Sequence, residues 1–141
     1  MQVFVYGTLK PGGHYYELLC RKEKVSSKKA KLFGKLYDLD VGYPALQLGG
    51  SEWVYGNILN FSSEALLKKL DELEGYNPLR SIAQNEYQRV SAIAYDLNET
   101  KIGFVETYIM EPEQLKHYEW RLLPEGLSLI HISEPTRRYR I

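Results

Sequence analysis

Glycines inside runs of apolar and β-branched residues are the feature that most restricts the fold of this 141-residue chain. The segments "AKLFGKLYD", "VGYPAL" and "WVYGNILNF" carry Gly34, Gly42 and Gly56 within patterns that are typical of strands. A glycine in the interior of a strand marks a bulge, a bend or a barrel corner. Strands of this kind favour a curled sheet or small barrel over a flat sheet.

The other segments predict further strands and a few helices. Residues 2–6 predict a buried first strand, and the segments on either side of "LNETKI" predict an antiparallel pair. Short helices are expected over residues 14–20 and 112–121, with a solvated connection over residues 21–31. We therefore expect an α+β fold: a small, curled, mixed β-barrel of five to seven strands around a pocket, with one main helix and one or two short helices.

Composition excludes several classes of protein. Lys plus Arg equals Asp plus Glu at 18 each, so the charge gives no reason to expect nucleic acid or anionic membranes as principal partners. The single cysteine, Cys20, cannot form an internal disulfide. No basic leader precedes the first apolar run, and no apolar run reaches 18 residues. We expect one cytoplasmic domain.

The end of the chain is expected not to belong to that domain. Residues 127–137, "LSLIHISEPTR", resemble a translated transposase-type sequencing adapter. The resemblance implies that residues 1–126 form the domain and that residues 127–141 are a non-native tail. We expect this tail to pack poorly, and we draw no nucleic-acid site from its cluster of Arg137, Arg138 and Arg140.

The clearest helix is expected between residues 62 and 75. Ser62 or Ser63 supplies the N-cap, and Gly75 is the expected stop after Glu74. At about 100° per residue, one apolar stripe spans about 120° and includes Glu74. The other members of the stripe are Leu66, Leu67, Leu70 and Leu73. Charged side chains outside the stripe, where solvent contact is expected, are Lys68, Lys69, Asp71 and Glu72.

Glu74 is therefore the leading candidate for a functional carboxyl. If it is buried, desolvation and the negative end of the helix dipole both raise its pKa toward the range that a general acid/base needs near neutral pH. The alternative is a frayed last turn from which Glu74 reaches solvent, and periodicity leaves both open. A second carboxyl, Glu106, shares a strand face with Phe104 and Tyr108, and there we expect solvation at a sheet edge.

The segment after the first strand is a second candidate site. "YGTLKPGG" places glycines around a turn, and glycines let backbone N–H groups face an anion. Gly13 and His14 stand where a phosphate-binding loop needs Lys and Ser or Thr, which excludes nucleotide hydrolysis. A purely structural turn is the alternative. The three histidines have no metal-ligand spacing, and Cys20 is expected to be a plain buried thiol.

Taken in order, "VFVYGTLKPG", "GYPAL", "VYGNIL", "LDELEGY", "YQRV" and "TYIM" resemble the gamma-glutamylcyclotransferase family (AIG2-like, YtfP-like), particularly its short bacterial and cyanobacterial members. The resemblance covers residues 1–126. It implies a small β-barrel with a pocket between the first loop and the "LDxxE" helix, and it makes Glu74 the catalytic residue. The substrate-binding residues that it implies are Tyr6, Gly7, Thr8 and Leu9 of the loop, with Tyr43, Pro44, Tyr87 and Tyr108 as pocket walls.

The reaction implied by the resemblance is attack of a γ-glutamyl α-amine on its own side-chain amide carbonyl, releasing an amine and 5-oxoproline. No cofactor or metal is expected, and the expected partner is a small γ-glutamyl substrate bound by a monomer or weak homodimer. Glu106 departs from the apolar pattern expected in its strand, which leaves the polarity of the pocket open. Two alternatives are a non-catalytic module of the same fold that binds an amino-acid-like molecule, and an interaction protein with no pocket and an exposed Glu74.

Overall fold

A computed structural model describes residues 1–6, 25–40 and 44–123. In these residues the strands are β1 (Gln2–Val5), β2 (Ser26–Leu39), β3 (Pro44–Asn60), β4 (Gln88–Tyr95), β5 (Lys101–Ile109) and β6 (Trp120–Leu123). The helices are α1 (Glu64–Leu73) and α2 (Pro112–Leu115), and a 3₁₀-helix covers Ile82–Gln84.

Five of these strands close into a mixed barrel. They are hydrogen-bonded in the order β3-β1-β5-β4-β2, and β2 pairs again with β3 to complete the ring. Among the described strands only β1 and β5 pair in parallel. The remaining strand, β6, pairs antiparallel with β2. The expected α+β barrel with one main helix is confirmed.

Two of the predicted strand glycines lie where another part of the backbone comes close. The pairing of β2 with β3 shifts its register beside Gly34, where an added Cβ would lie 2.7 Å from the carbonyl oxygen of Gln47. A Cβ on Gly56 would lie 2.3 Å from the carbonyl oxygen of Val5. Glycine is therefore required for the close contact of β3 with β1.

Helix α1 begins as its sequence predicts. The N-cap is Ser63, whose Oγ accepts a hydrogen bond from the N–H of Leu66 at 3.1 Å. Leu66 and Leu70 are buried, and Leu67 and Leu73 are partly buried against the core. The stripe that the periodicity predicts is thus the face that α1 turns toward the protein.

The core contains an unusual share of tyrosine. The largest fully buried side chains are Tyr6, Tyr87, Tyr108 and Phe4. A buried phenol brings a hydroxyl into the interior, and that hydroxyl needs a hydrogen-bond partner there. The polar contacts of these tyrosines consequently decide how the interior is arranged.

Three predictions about boundaries and edges are wrong. Residues 26–31, predicted to be solvated connection, begin β2, and Lys31 is buried with Nζ 4.3 Å from the ring centroid of Trp53. Helix α2 ends at Leu115, and the chain enters β6 where the helix was expected to continue. Glu106 does not lie at a sheet edge, because β5 pairs with both β1 and β4.

Other predictions lie outside the described residues: the helix over residues 14–20, the bend at Gly42 and the tail over residues 127–141. In the described part of the chain, no helix has the length and apolar character needed to cross a membrane.

Gly56→Ala is expected to lower the free energy of unfolding by about 2–3 kcal/mol, because its methyl group would collide with the Val5 carbonyl. Gly50→Ala is the control. At Gly50 φ is +85° and a Cβ would meet no atom within 4 Å, so the left-handed backbone penalty of about 1 kcal/mol is its main cost. Urea unfolding measures both variants. Equal losses would contradict the crowding at Gly56.

Candidate active site

The C-terminal end of α1 determines where Glu74 lies. The N–H of Gly75 donates to the carbonyl of Glu72 at 3.1 Å, and the N–H of Tyr76 donates to the carbonyl of Asp71 at 2.9 Å. Gly75 has a φ of 64°. These contacts form a Schellman motif, so the predicted glycine stop is confirmed and Glu74 is the C-cap residue.

Glu74 is buried, with 0% of the residue exposed. The frayed helix end, in which this side chain reaches solvent, is therefore wrong. Burial raises the pKa of Tyr6 and of Tyr108, and the charge of Glu74 raises both further. The carboxyl thus lies within electrostatic range of two buried phenols.

Tyr6 and Tyr108 are joined directly. Tyr6 directly follows β1, and its hydroxyl donates to the backbone carbonyl of Tyr108 at 2.6 Å. Parallel pairing of β1 with β5 sets Phe4 opposite Thr107, and the Thr107 hydroxyl donates to the Phe4 carbonyl at 3.1 Å. A hydrogen bond with the Leu46 backbone opposes the effect of burial on the pKa of Tyr6. Tyr6 therefore connects β1, β3 and β5 next to Glu74.

A cluster of charged and polar side chains adjoins this group. The Tyr108 hydroxyl donates to Oδ1 of Asp71 at 2.6 Å, and Nη1 of Arg89 donates to both oxygens of Asp71 at 3.1 and 2.9 Å. Nε of Arg89 lies 3.6 Å from Oε1 of Glu106, whose Oε2 accepts a hydrogen bond from Ser91 at 2.8 Å. The cluster links α1 to β4 and β5.

Asp71 is the member of this cluster that the sequence misplaces. It was expected to be solvated, but its side chain is only 13% exposed. Burial raises the pKa of Asp71, while the Tyr108 hydroxyl and the positive charge of Arg89 act in the opposite direction. A signal was present in the "LDELEG" segment, because residues three apart on a helix are neighbours and Asp71 stands three before Glu74.

The other predicted site residues divide into two sets. Tyr87 directly precedes β4, and its hydroxyl donates to the carbonyl of Pro44 at 2.6 Å, where β3 begins. Both residues are buried, so two of the predicted pocket walls contact each other. Four predicted residues lie outside the described part of the chain: Gly7, Thr8, Leu9 and Tyr43.

The described residues show what chemistry the site can support. Within residues 1–6, 25–40 and 44–123, no group of three or more His, Cys, Asp or Glu side chains is arranged to hold a metal ion. The arrangement consists instead of a buried carboxyl, two buried phenols and an adjacent ion pair. A carboxyl in such surroundings is suited to proton transfer.

The sequence matches the family described as "Gamma-glutamyl cyclotransferase, AIG2-like" over residues 3–126. A curated relative, the gamma-L-glutamyl-butirosin B gamma-glutamyl cyclotransferase of Niallia circulans, is 32% identical over 111 residues. The match covers 75% of this chain and 65% of the relative. The chain therefore spans slightly less than two thirds of the length of that protein.

Solved structures share the architecture. The crystal structure of an AIG2-like protein from Mus musculus superposes with a TM-score of 0.63 at 22% identity, covering 99% of this chain and 95% of the other. YkqA from Bacillus subtilis gives a TM-score of 0.63 at 18% identity, covering 95% of this chain and 43% of the other. At such identities the likeness shows the fold.

Stability is expected to fall as the pH rises above about 10, the ordinary pKa of tyrosine. The pKa values of Tyr6 and Tyr108 are raised in the folded protein, so the unfolded chain releases phenol protons that the folded protein still holds. The unfolded state is then favoured, with a slope of about 1.4 kcal/mol per pH unit for each such phenol.

The Tyr6→Phe variant removes one of these two titrating phenols. At pH 7 it is expected to lose about 1–3 kcal/mol, because the buried Tyr108 carbonyl loses a donor. The difference from the natural protein should shrink between about pH 9 and pH 11, because the variant has one phenol fewer to titrate. Urea unfolding across this range measures both effects, and a difference that stays constant with pH would contradict the raised pKa of Tyr6.

Proposed function

Because the chain belongs to the gamma-glutamyl cyclotransferase, AIG2-like family, we propose that it cyclises a γ-glutamyl amine or peptide and releases 5-oxoproline and a free amine. The family and the 32% identical relative support a cyclotransferase-type function. One structural observation carries the finer assignment: the carboxyl of Glu74 is fully buried at a helix end, beside two phenols. Glu74 is accordingly assigned as the general acid/base.

The proposed reaction balances without any further reactant. The α-amine of the γ-glutamyl group attacks the side-chain carbonyl and forms the ring C–N bond, and the original amide C–N bond breaks. Glu74 takes a proton from the attacking nitrogen and gives it to the leaving nitrogen, so the enzyme ends in its starting state. Such proton transfer contributes about 10²- to 10⁴-fold to a rate. Because the attacking amine and the attacked carbonyl belong to one molecule, the site has only to hold the substrate in the conformation that brings these two groups together.

The surroundings of Glu74 suit it to accept a proton during the reaction. Burial and the negative end of the α1 dipole disfavour a carboxylate, so they increase its readiness to accept a proton. The raised pKa values of Tyr6 and Tyr108 keep both phenols neutral near pH 7. Glu74 is then the group in this set that changes its protonation during the reaction.

Substrate recognition is assigned to the segment that begins at Tyr6. Backbone N–H groups of Gly7, Thr8 and Leu9 would hold the α-carboxylate of the substrate or the oxyanion that develops at the attacked carbonyl. The supporting observation is that Tyr6 is held next to Glu74, so the chain leaves β1 at the candidate site. The proposed walls of the pocket are Tyr43, Pro44, Tyr87 and Tyr108.

Glu74→Gln is expected to fold and to release 5-oxoproline at least about 10²-fold more slowly, because an amide of similar size cannot carry the proton. Glu72→Gln is the matched control: it makes the same change two residues earlier on α1, at an exposed position. That control should retain the natural rate. 5-Oxoproline released from a panel of γ-glutamyl peptides and γ-glutamyl amines is measured by chromatography.

The possible outcomes separate the alternatives. Release by the natural protein and Glu72→Gln, with loss in Glu74→Gln, supports the assignment. Equal release by all three proteins would remove Glu74 from the mechanism. Binding of γ-glutamyl compounds without release by the natural protein would favour the non-catalytic module instead.

A further inference from the structure

Asp71 and Glu74 share an aromatic neighbour. The two carboxyls stand three residues apart at the end of α1, so their side chains are neighbours on the helix surface. Tyr108 on β5 donates its hydroxyl proton to Oδ1 of Asp71 at 2.6 Å. The charge of Glu74 also acts on Tyr108, as its contribution to the pKa of this phenol shows. One phenol thus donates to Asp71 and lies within electrostatic range of Glu74.

A phenol has a single proton to donate, and the structure shows which carboxyl receives it. The hydrogen bond from Tyr108 to Asp71 is short, and both Asp71 oxygens are in turn held by Nη1 of Arg89. Asp71 cannot turn away from the phenol without breaking these ion-pair contacts. The Tyr108 proton is consequently held on the Asp71 side.

The direction of the Tyr108 hydrogen bond affects how strongly Glu74 holds a proton. A hydrogen bond donated to a carboxylate stabilises its charged form and weakens its hold on a proton. A phenol that donated to Glu74 would make it a poorer proton acceptor, which is unfavourable for a general acid/base near neutral pH. We propose that Asp71 is a positioning residue that holds the hydroxyl proton of Tyr108 away from Glu74 and so preserves the proton affinity of Glu74. This inference extends the function proposed above, although its test does not require activity.

Charged and titratable groups on several elements of the described chain act on the pair. Glu74 acts on Tyr6, which follows β1, and on Tyr108 of β5. Asp71 is faced by Tyr108 and Glu106 of β5 and by Arg89 of β4. Removal of the Asp71 charge therefore has a direct effect on Glu74 besides the effect through Tyr108, and the experiment must separate the two.

A double-mutant cycle makes that separation. The titration of Glu74 is followed by ¹³C NMR of the glutamate side-chain carboxyls in the full chain, with Glu74→Gln identifying its signal. Asp71→Ala frees the Tyr108 proton for Glu74, and the Glu74 titration is expected to move about one pH unit lower. Tyr108→Phe alone is expected to leave the titration within about 0.3 pH unit of its natural position, because the hydroxyl does not donate to Glu74 in the natural protein.

The combination of Asp71→Ala with Tyr108→Phe gives the decisive result. It is expected to recover most of the downward shift, because no phenol proton remains to reach Glu74. An equal shift in the single and double variants would show a direct charge effect only and would overturn the proposal. No shift in Asp71→Ala would overturn it as well, by reducing Asp71 to a structural contact.

A second measurement covers the case in which Asp71→Ala does not fold. Tyr108→Phe by itself should not move the Glu74 titration upward, and an upward shift of about one pH unit would show that the hydroxyl already donates to Glu74. These readouts are independent of turnover. If Glu74→Gln kept full 5-oxoproline release, the catalytic role of Glu74 would fail, and if the natural protein released none, the proposed function would fail; in both cases the NMR result would still decide the role of Asp71.

Discussion

The left-handed turn at Gly75 is the local feature on which the candidate site depends. With φ at 64°, Gly75 closes α1 through a Schellman motif and leaves Glu74 as the last residue whose side chain follows the helix face. A residue with a Cβ at this position would pay about 1 kcal/mol in backbone energy. Burial of an unsupported carboxylate costs more, so the helix end is stable only where the surrounding barrel provides polar contacts.

The closed barrel brings the two phenols beside this helix end from distant parts of the chain. Tyr6 and Tyr108 are 102 residues apart in sequence, yet the parallel pairing of β1 with β5 brings one hydroxyl onto the backbone of the other residue. A phenol that donates to a strand carbonyl has little freedom to rotate, because the acceptor is fixed in the sheet. Tyr87 is held in the same way by the carbonyl of Pro44. The barrel interior therefore contains phenols whose direction is fixed by strand carbonyls.

Sequence patterns within α1 predicted those features of the site that neighbouring residues in the chain determine. Helix α1, an N-cap at Ser62 or Ser63 and the stop at Gly75 follow from periodicity and capping within about a dozen residues. Periodicity placed Glu74 on the apolar stripe but left its burial open, and the structure shows that it is buried. On a helical wheel measured from Leu66, the apolar stripe ends at about 100° and Asp71 falls at about 140°. The sequence therefore predicted that Asp71 is solvated. What buries it is the register of β4 and β5, and no local pattern specifies that Arg89 will face Tyr108 across those strands.

Strand pairing also explains the misplaced Lys31, because the register of β2 with β3 sets Lys31 opposite Tyr55 and beside Trp53. The Asp71 carboxyl raises a separate question, namely why an acidic side chain stands there. A partly buried ion pair is weak grounds for stability, since apolar side chains of similar volume often stabilise a protein equally well or better. Asp71, Arg89 and Glu106 form such a group beside the candidate site, and burial works against the charge of Asp71. Stability alone therefore does not account for a carboxylate at this position. An acceptor that fixes the direction of one phenol proton does account for it, because an apolar side chain can fill the volume but cannot hold the proton.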